Sequence, residues 1–118
     1  MLTRADICAY AQAEYQTRPE QLWQRYPDWL VLRHRSNAKW YAVIMNIARS
    51  KAGLHGAGQI DIINLKLDSS LKNLLAGTKG LLPAYHMNKE HWLSLVLDGS
   101  LADAEIIHFL DKSYRLTG

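Results

Sequence analysis

The sequence predicts an α+β domain of order α-β(3)-α-β(2)-α, with about five antiparallel strands in one sheet and helices on one face in a two-layer arrangement. Three observations carry this prediction. Amphipathic segments with capping residues stand at both ends of the chain. Between them, runs rich in β-branched and aromatic residues recur, separated by turn chemistry. The strand-to-strand connections are short enough for antiparallel pairing.

Leu2-Thr3-Arg4-Ala5-Asp6-Ile7 opens the first helix, with Thr3 as cap and Asp6 able to reach back to it. Ile7 and Tyr10 follow at helical spacing, and the helix must end before Pro19. Residues 16–28 show no clear period. Trp23 and Tyr26 are expected to anchor that loop onto the core, and Pro27 bars helix into the next element.

Trp29–Arg33 and Trp40–Ile47 read as strands joined by a hairpin whose tip carries Arg33, Arg35 and Lys39, with Ser36-Asn37 supplying the turn. Strict alternation along the second strand puts Trp40, Ala42 and Ile44 on one face and Tyr41, Val43, Met45 and Ile47 on the other. A basic, glycine-rich stretch, 48–58, reads as a flexible connection to a third strand, Gln59–Lys66. Asp68 caps a short helix with Leu71, Leu74 and Leu75 inward and Gly77 as its left-handed stop. Leu81–Met87 can extend as an edge strand, and His91–Leu97 is a strand ended by Asp98-Gly99. Ser100 is read as the cap of the last helix, completed by Asp103, with Ile106, Ile107, Leu110 and Tyr114 on one stripe.

A chain of 118 residues, 48% apolar and 21% charged, is one globular domain, here 1–118. Four Trp and six Tyr exclude a disordered chain. No apolar run is long enough to span a bilayer, and Met1–Asp6 lacks the apolar core of a signal peptide. Cys8, the single cysteine, leaves no internal disulfide and no thiolate metal site. The expected address is the cytoplasm.

Net charge is +3, unevenly placed. Residues 29–60 hold Arg33, Arg35, Lys39, Arg49 and Lys51 and no acid, whereas 98–118 are net negative. An acid-free cationic third points to an anionic partner.

Arg33-His34-Arg35-Ser36-Asn37-Ala38-Lys39-Trp40-Tyr41-Ala42, Asn64-Leu65-Lys66, and Pro83-Ala84-Tyr85-His86-Met87-Asn88-Lys89-Glu90-His91-Trp92 form a recognisable set of blocks. Leu97-Asp98-Gly99-Ser100 and Ser113-Tyr114 continue it. Together, from about Tyr26 to Tyr114, the chain resembles the MmcQ/YjbR-like proteins, small bacterial domains of largely undefined function. The resemblance implies a two-layer fold shared with secretion chaperones and loosely like bacterial frataxins (CyaY-like). It also implies a DNA-binding role through a double-wing pair of hairpins. By the same resemblance, a C-terminal extension found in some relatives is expected to be missing here.

Within the 86–92 block, His86 and His91 would lie on opposite faces of a simple strand, and no usual zinc spacing is present. Asn88-Lys89 reads as a turn bonded to local backbone, with Trp92 packed inward. A polar surface site made of His86, Asn88, Lys89 and His91 is a second reading of the same residues. No nucleophile elbow, phosphate loop or zinc-protease helix is present, and the glycines at 53, 56 and 58 precede a strand and not a helix. Cys8 reads as a buried hydrophobe, and Asp61 and Asp98 would pair only by accident of folding. The expectation is a protein without catalysis, cofactor or metal.

Two functions follow. In the first, Arg33, Arg35, Lys39, Arg49 and Lys51 contact the phosphates of double-stranded DNA, weakly and with strong salt dependence. In the second, the sheet face opposite the helices, around Tyr41, Val43 and Met45, is bare and docks a protein partner or a second copy of the chain.

Overall fold

The computed structural model describes residues 1–118. Three helices and a five-stranded antiparallel sheet make it α+β, as the sequence predicts. The order is α1 (Arg4–Tyr15), β1 (Leu30–Arg33), β2 (Trp40–Ala48), β3 (Gln59–Lys66), α2 (Ser69–Leu75), β4 (Leu81–Pro83), β5 (Trp92–Val96) and α3 (Asp103–Thr117), with a 3-10 turn at Arg49–Ala52. The strands lie β1-β2-β3-β5-β4. No helix is long and apolar enough to cross a membrane.

Local chemistry explains most element ends. Thr3 caps α1, and the Asp6 carboxylate accepts the Thr3 N–H at 2.9 Å, a reciprocal box at the positive end of the helix. Asp68 accepts the Ser70 N–H at 2.8 Å to open α2, and Gly77 follows in the left-handed region. Two expectations are corrected. Helix α3 starts beyond Ala102, because Asp98 draws in the Ser100 N–H at 2.9 Å to shape the preceding turn. Glu105, not Asp103, reaches back to the first turn, accepting the Ala102 N–H at 3.3 Å. In α2, Leu74 is 82% exposed; only Leu71 and Leu75 pack against the core.

The sheet carries a core on each side. Ile7 and Ala11 of α1 and Ile106, Phe109 and Leu110 of α3 share one cluster with Leu32, Ile44, Ile63, Leu65 and Leu95. The opposite face was expected to be bare, and it is covered. Trp29, Val31, Val43, Met45, Ile47, Ala52, Ile62 and Val96 form a second cluster, overlaid by Trp23, Tyr85 and Met87 from loops. Tyr41 and Val43 are 0% exposed and Met45 2%, so none of these side chains can dock a partner.

A β-bulge sorts the faces. Pairing steps from Leu32↔Ala42 to Arg33↔Trp40, leaving Tyr41 as the extra residue on β2. The slip reverses the alternation at that point: Tyr41 joins the helix-side cluster, and Trp40 joins Val43 and Met45. The buried Ser113 hydroxyl donates to the Tyr41 carbonyl at 2.5 Å and accepts the Lys66 N–H at 2.9 Å, so α3 satisfies backbone groups of both β2 and β3. The Tyr41 hydroxyl donates to Thr17 at 2.7 Å. Its ring meets Tyr114 edge-on at 4.9 Å, while Tyr15 stacks on Tyr114 at 3.8 Å. Asp111 accepts from the Tyr10 and Tyr15 hydroxyls, and burial, reinforced by that carboxylate, pushes the Tyr15 phenol far above its ordinary range.

The hairpin turn holds Ala38 at φ 61, a conformation that costs an L-residue energy. Ala38→Gly is expected to stabilise the protein by about 0.5–1 kcal/mol. A urea titration should show a higher midpoint with an unchanged slope.

Candidate functional site

The second sheet face holds a groove built by two loops. The first, 16–29, is pinned to the outer edge of β1 by a pair of backbone hydrogen bonds between Glu20 and Val31, at 3.0 and 2.9 Å. That pairing also covers an edge strand. The loop then turns so that Trp23 meets Trp29 and Trp40 edge-to-face, at 5.4 and 5.8 Å, and Tyr26 stacks on Trp29 at 4.0 Å.

The second loop, 84–91, is positioned by buried polar groups. Asn64 on β3 and Ser94 on β5 are register partners and fully buried. The Ser94 hydroxyl donates to the Asn64 amide oxygen and accepts the Tyr85 N–H at 3.0 Å. The Asn64 amide donates to the Tyr85 carbonyl at 2.8 Å. Tyr85 is therefore held at both ends of its backbone. The next residue, His86, sits in the left-handed region at φ 57, with its ring 4.1 Å from that of Tyr85 and 5.9 Å from Trp29. Further on, the Asn88 side chain accepts the Glu90 N–H at 2.8 Å, the turn expected from the sequence.

Between the loops lies a cleft of about 490 Å³, with Trp23, Tyr26, Trp29 and Trp40 as walls, Val43 and Met45 also lining it, and His86, Met87 and Asn88 contributed by the second loop. Two clefts adjoin it and share its lining, one through Tyr26, Trp29 and His86 and the other, of about 500 Å³ and flanked by Lys51 and Lys89, through His86; together they make up the groove. His86 lines every part of this groove.

The structure thus brings together Lys51 from the basic segment and His86, Asn88 and Lys89 from the 86–92 block. The other sequence candidates lie apart. Arg33 is held by Glu20 through two side-chain hydrogen bonds, which raise the guanidinium's pKa and keep the Glu20 carboxyl below its usual range. Arg35 lines a separate polar cleft with Gln12, Gln16 and Arg18. Lys39 is exposed at the start of β2. Arg49 donates to the His55 carbonyl at 2.9 Å within its own loop, which folds back to bury Ala52 rather than projecting as an arm. His91 is exposed, 4.0 Å from Glu90. Trp92 is half-buried and belongs to neither core cluster, contrary to the inward packing expected of it.

Groups with catalytic potential are engaged elsewhere. Arg4 clasps Asp61 at 2.9 and 3.0 Å. Burial opposes ionisation of Asp98, but hydrogen bonds from Ser100 and the charge of Arg49 outweigh it, leaving the carboxyl below its usual range. Burial pushes the Cys8 thiol up, away from nucleophilic thiolate. No group of three or more His, Cys, Asp or Glu side chains is placed to hold a metal. From the sequence, Trp23 and Tyr26 are expected only as anchors; three aromatics between residues 23 and 29 were the available signal for a cleft wall.

The fold as a whole is shared with solved structures. A crystal structure of a Pseudomonas syringae protein superposes with a TM-score of 0.94 at 41% identity, covering 98% of this chain and 99% of that one. A Deinococcus radiodurans protein, at 22% identity and a TM-score of 0.74 over 98% of this chain and 78% of its own, shares the fold. The family model for YjbR matches residues 12–116, and the chain belongs to the YjbR family. Among its relatives, the uncharacterized protein YyaQ of Bacillus subtilis is 44% identical over 99% of both chains. YjbR of Escherichia coli K12, also uncharacterized, is 39% identical over 45% of this chain and 46% of its own.

Ser94→Ala would leave the Asn64 oxygen and the Tyr85 N–H buried without a partner. It is expected to cost about 1–3 kcal/mol, the usual penalty for such groups. In a double-mutant cycle with Asn64→Ala, chemical denaturation should reveal non-additivity, since both residues act on one backbone unit.

Proposed function

We propose that this YjbR-family protein is a non-catalytic nucleic-acid-binding protein whose contact surface is the groove on the second sheet face. The supporting observation is the meeting of Lys51 and Lys89 at one end of an aromatic groove. Both are exposed and neither has a carboxylate partner; of the hairpin cations Arg33 is already neutralised by Glu20, and Arg35 and Lys39, though unpaired, line no part of the groove. Phosphate contacts by such lysines supply affinity without sequence preference. The absence of an α-helix on this face favours backbone contact over major-groove reading, because α1 and α3 pack on the opposite side. The engagement of Cys8, Asp61 and Asp98 outside the groove favours binding without chemistry.

Fluorescence anisotropy with random-sequence DNA at about 50 and then about 200 mM salt is the direct test. Wild-type affinity should fall steeply across that range. In the Lys51→Glu/Lys89→Glu variant, the logarithmic salt slope should shrink by about two, one for each lost phosphate contact. If Arg35→Glu and Lys39→Glu abolish binding while the lysine pair does not, the contact surface is the hairpin.

A further inference from the structure

We infer that the aromatic cleft receives an unpaired nucleobase, so that the preferred ligand is a single strand with exposed bases. This deepens the nucleic-acid reading and rests on it.

Two properties of the groove point to this occupant. One end is walled by indole and phenol rings, which stack on planar rings of any base, and the volume of that cleft, about 490 Å³, lies within the span of small-ligand sites. At its far end the only charged side chains are lysines. Not one Asp or Glu lines any part of the groove, while Lys51 and Lys89 flank one end and the imidazole of His86 stands between. An uncharged aromatic ligand would leave these lysines unused. Free phosphate would leave the rings unused. A nucleotide strand uses both, with a base against Trp23, Trp40 and Tyr26 and the adjoining phosphates toward Lys51 and Lys89. A duplex cannot do the same, because its base faces are stacked inside and only edges and phosphates are on offer. His86 and Asn88 at the rim supply the polar groups that would meet base edges.

Three of the four tryptophans line the cleft, so base stacking can be read directly from intrinsic fluorescence. The test compares three probes on the full-length protein by anisotropy and tryptophan emission: a single strand of roughly 12 nucleotides, an abasic strand of the same length, and the matching duplex. The abasic strand keeps every phosphate and removes every base. The expected result is that the base-bearing strand binds roughly 10- to 100-fold more tightly than the abasic one and alone quenches tryptophan emission. Tyr26→Ala and His86→Gly change exposed residues, and the latter places glycine at a left-handed position. Both should shrink that ratio. Equal, salt-sensitive binding of the two strands with unchanged emission would overturn the base site and leave the phosphate reading intact. A duplex binding more tightly than the strand would do the same. No binding of any probe at low salt would overturn both.

Discussion

A buried amide and a buried hydroxyl, Asn64 and Ser94, hold the second face of this protein together. A polar side chain placed fully inside a sheet is costly unless its groups are bonded. Here the two side chains bond each other and grip the Tyr85 backbone from both sides. That grip does what a longer edge strand would otherwise do: β4 stops at Pro83, yet the chain beyond it stays against β5. With Tyr85 held, His86 can occupy a left-handed conformation in a loop laid over Met45 and Trp29. Strain of this kind persists only where neighbouring structure over-determines it.

On the helix side the corresponding device is Ser113. Its hydroxyl joins α3 to the carbonyl of the bulged Tyr41 and to the end of β3. The bulge shifts Trp40 to the groove side and Tyr41 into the tyrosine cluster near α1 and α3. One extra residue on one strand therefore supplies both a wall of the cleft and a member of the core. Asn64 and Ser113 fall within the sequence blocks that carried the family resemblance, and their burial gives those blocks a physical meaning.

The electrostatics follow from pairing as much as from composition. The acid-free segment 29–60 is cationic in sequence, but Glu20, outside it, returns across the sheet edge to neutralise Arg33, and Arg49 turns into its own loop. Lys89, from a segment of nearly balanced charge, lines the same cleft as Lys51. A surface field is set by which charges lack partners, and that depends on contacts between residues far apart in the chain.

Much of the fold was legible because its determinants are local. The Thr3–Asp6 box, the Asp68 cap, the Asn88 turn and the third strand rest on residues a few positions apart, and the short connections require antiparallel strands. The α3 cap was misread because Asp98 competed for Ser100 through an equally local bond that nothing in the pattern ranks above the other. The family, too, was legible in its motif blocks. What the sequence by itself determined was thus element type, fold class and membership. Only the tertiary structure decided which face each aromatic joins, that loops cover the second face, and which cations stand together without partners. Those outcomes depend on a one-residue bulge, a buried Asn64–Ser94 pair and an edge bridge from Glu20 to Val31, all interactions between distant residues that periodicity along the chain does not encode.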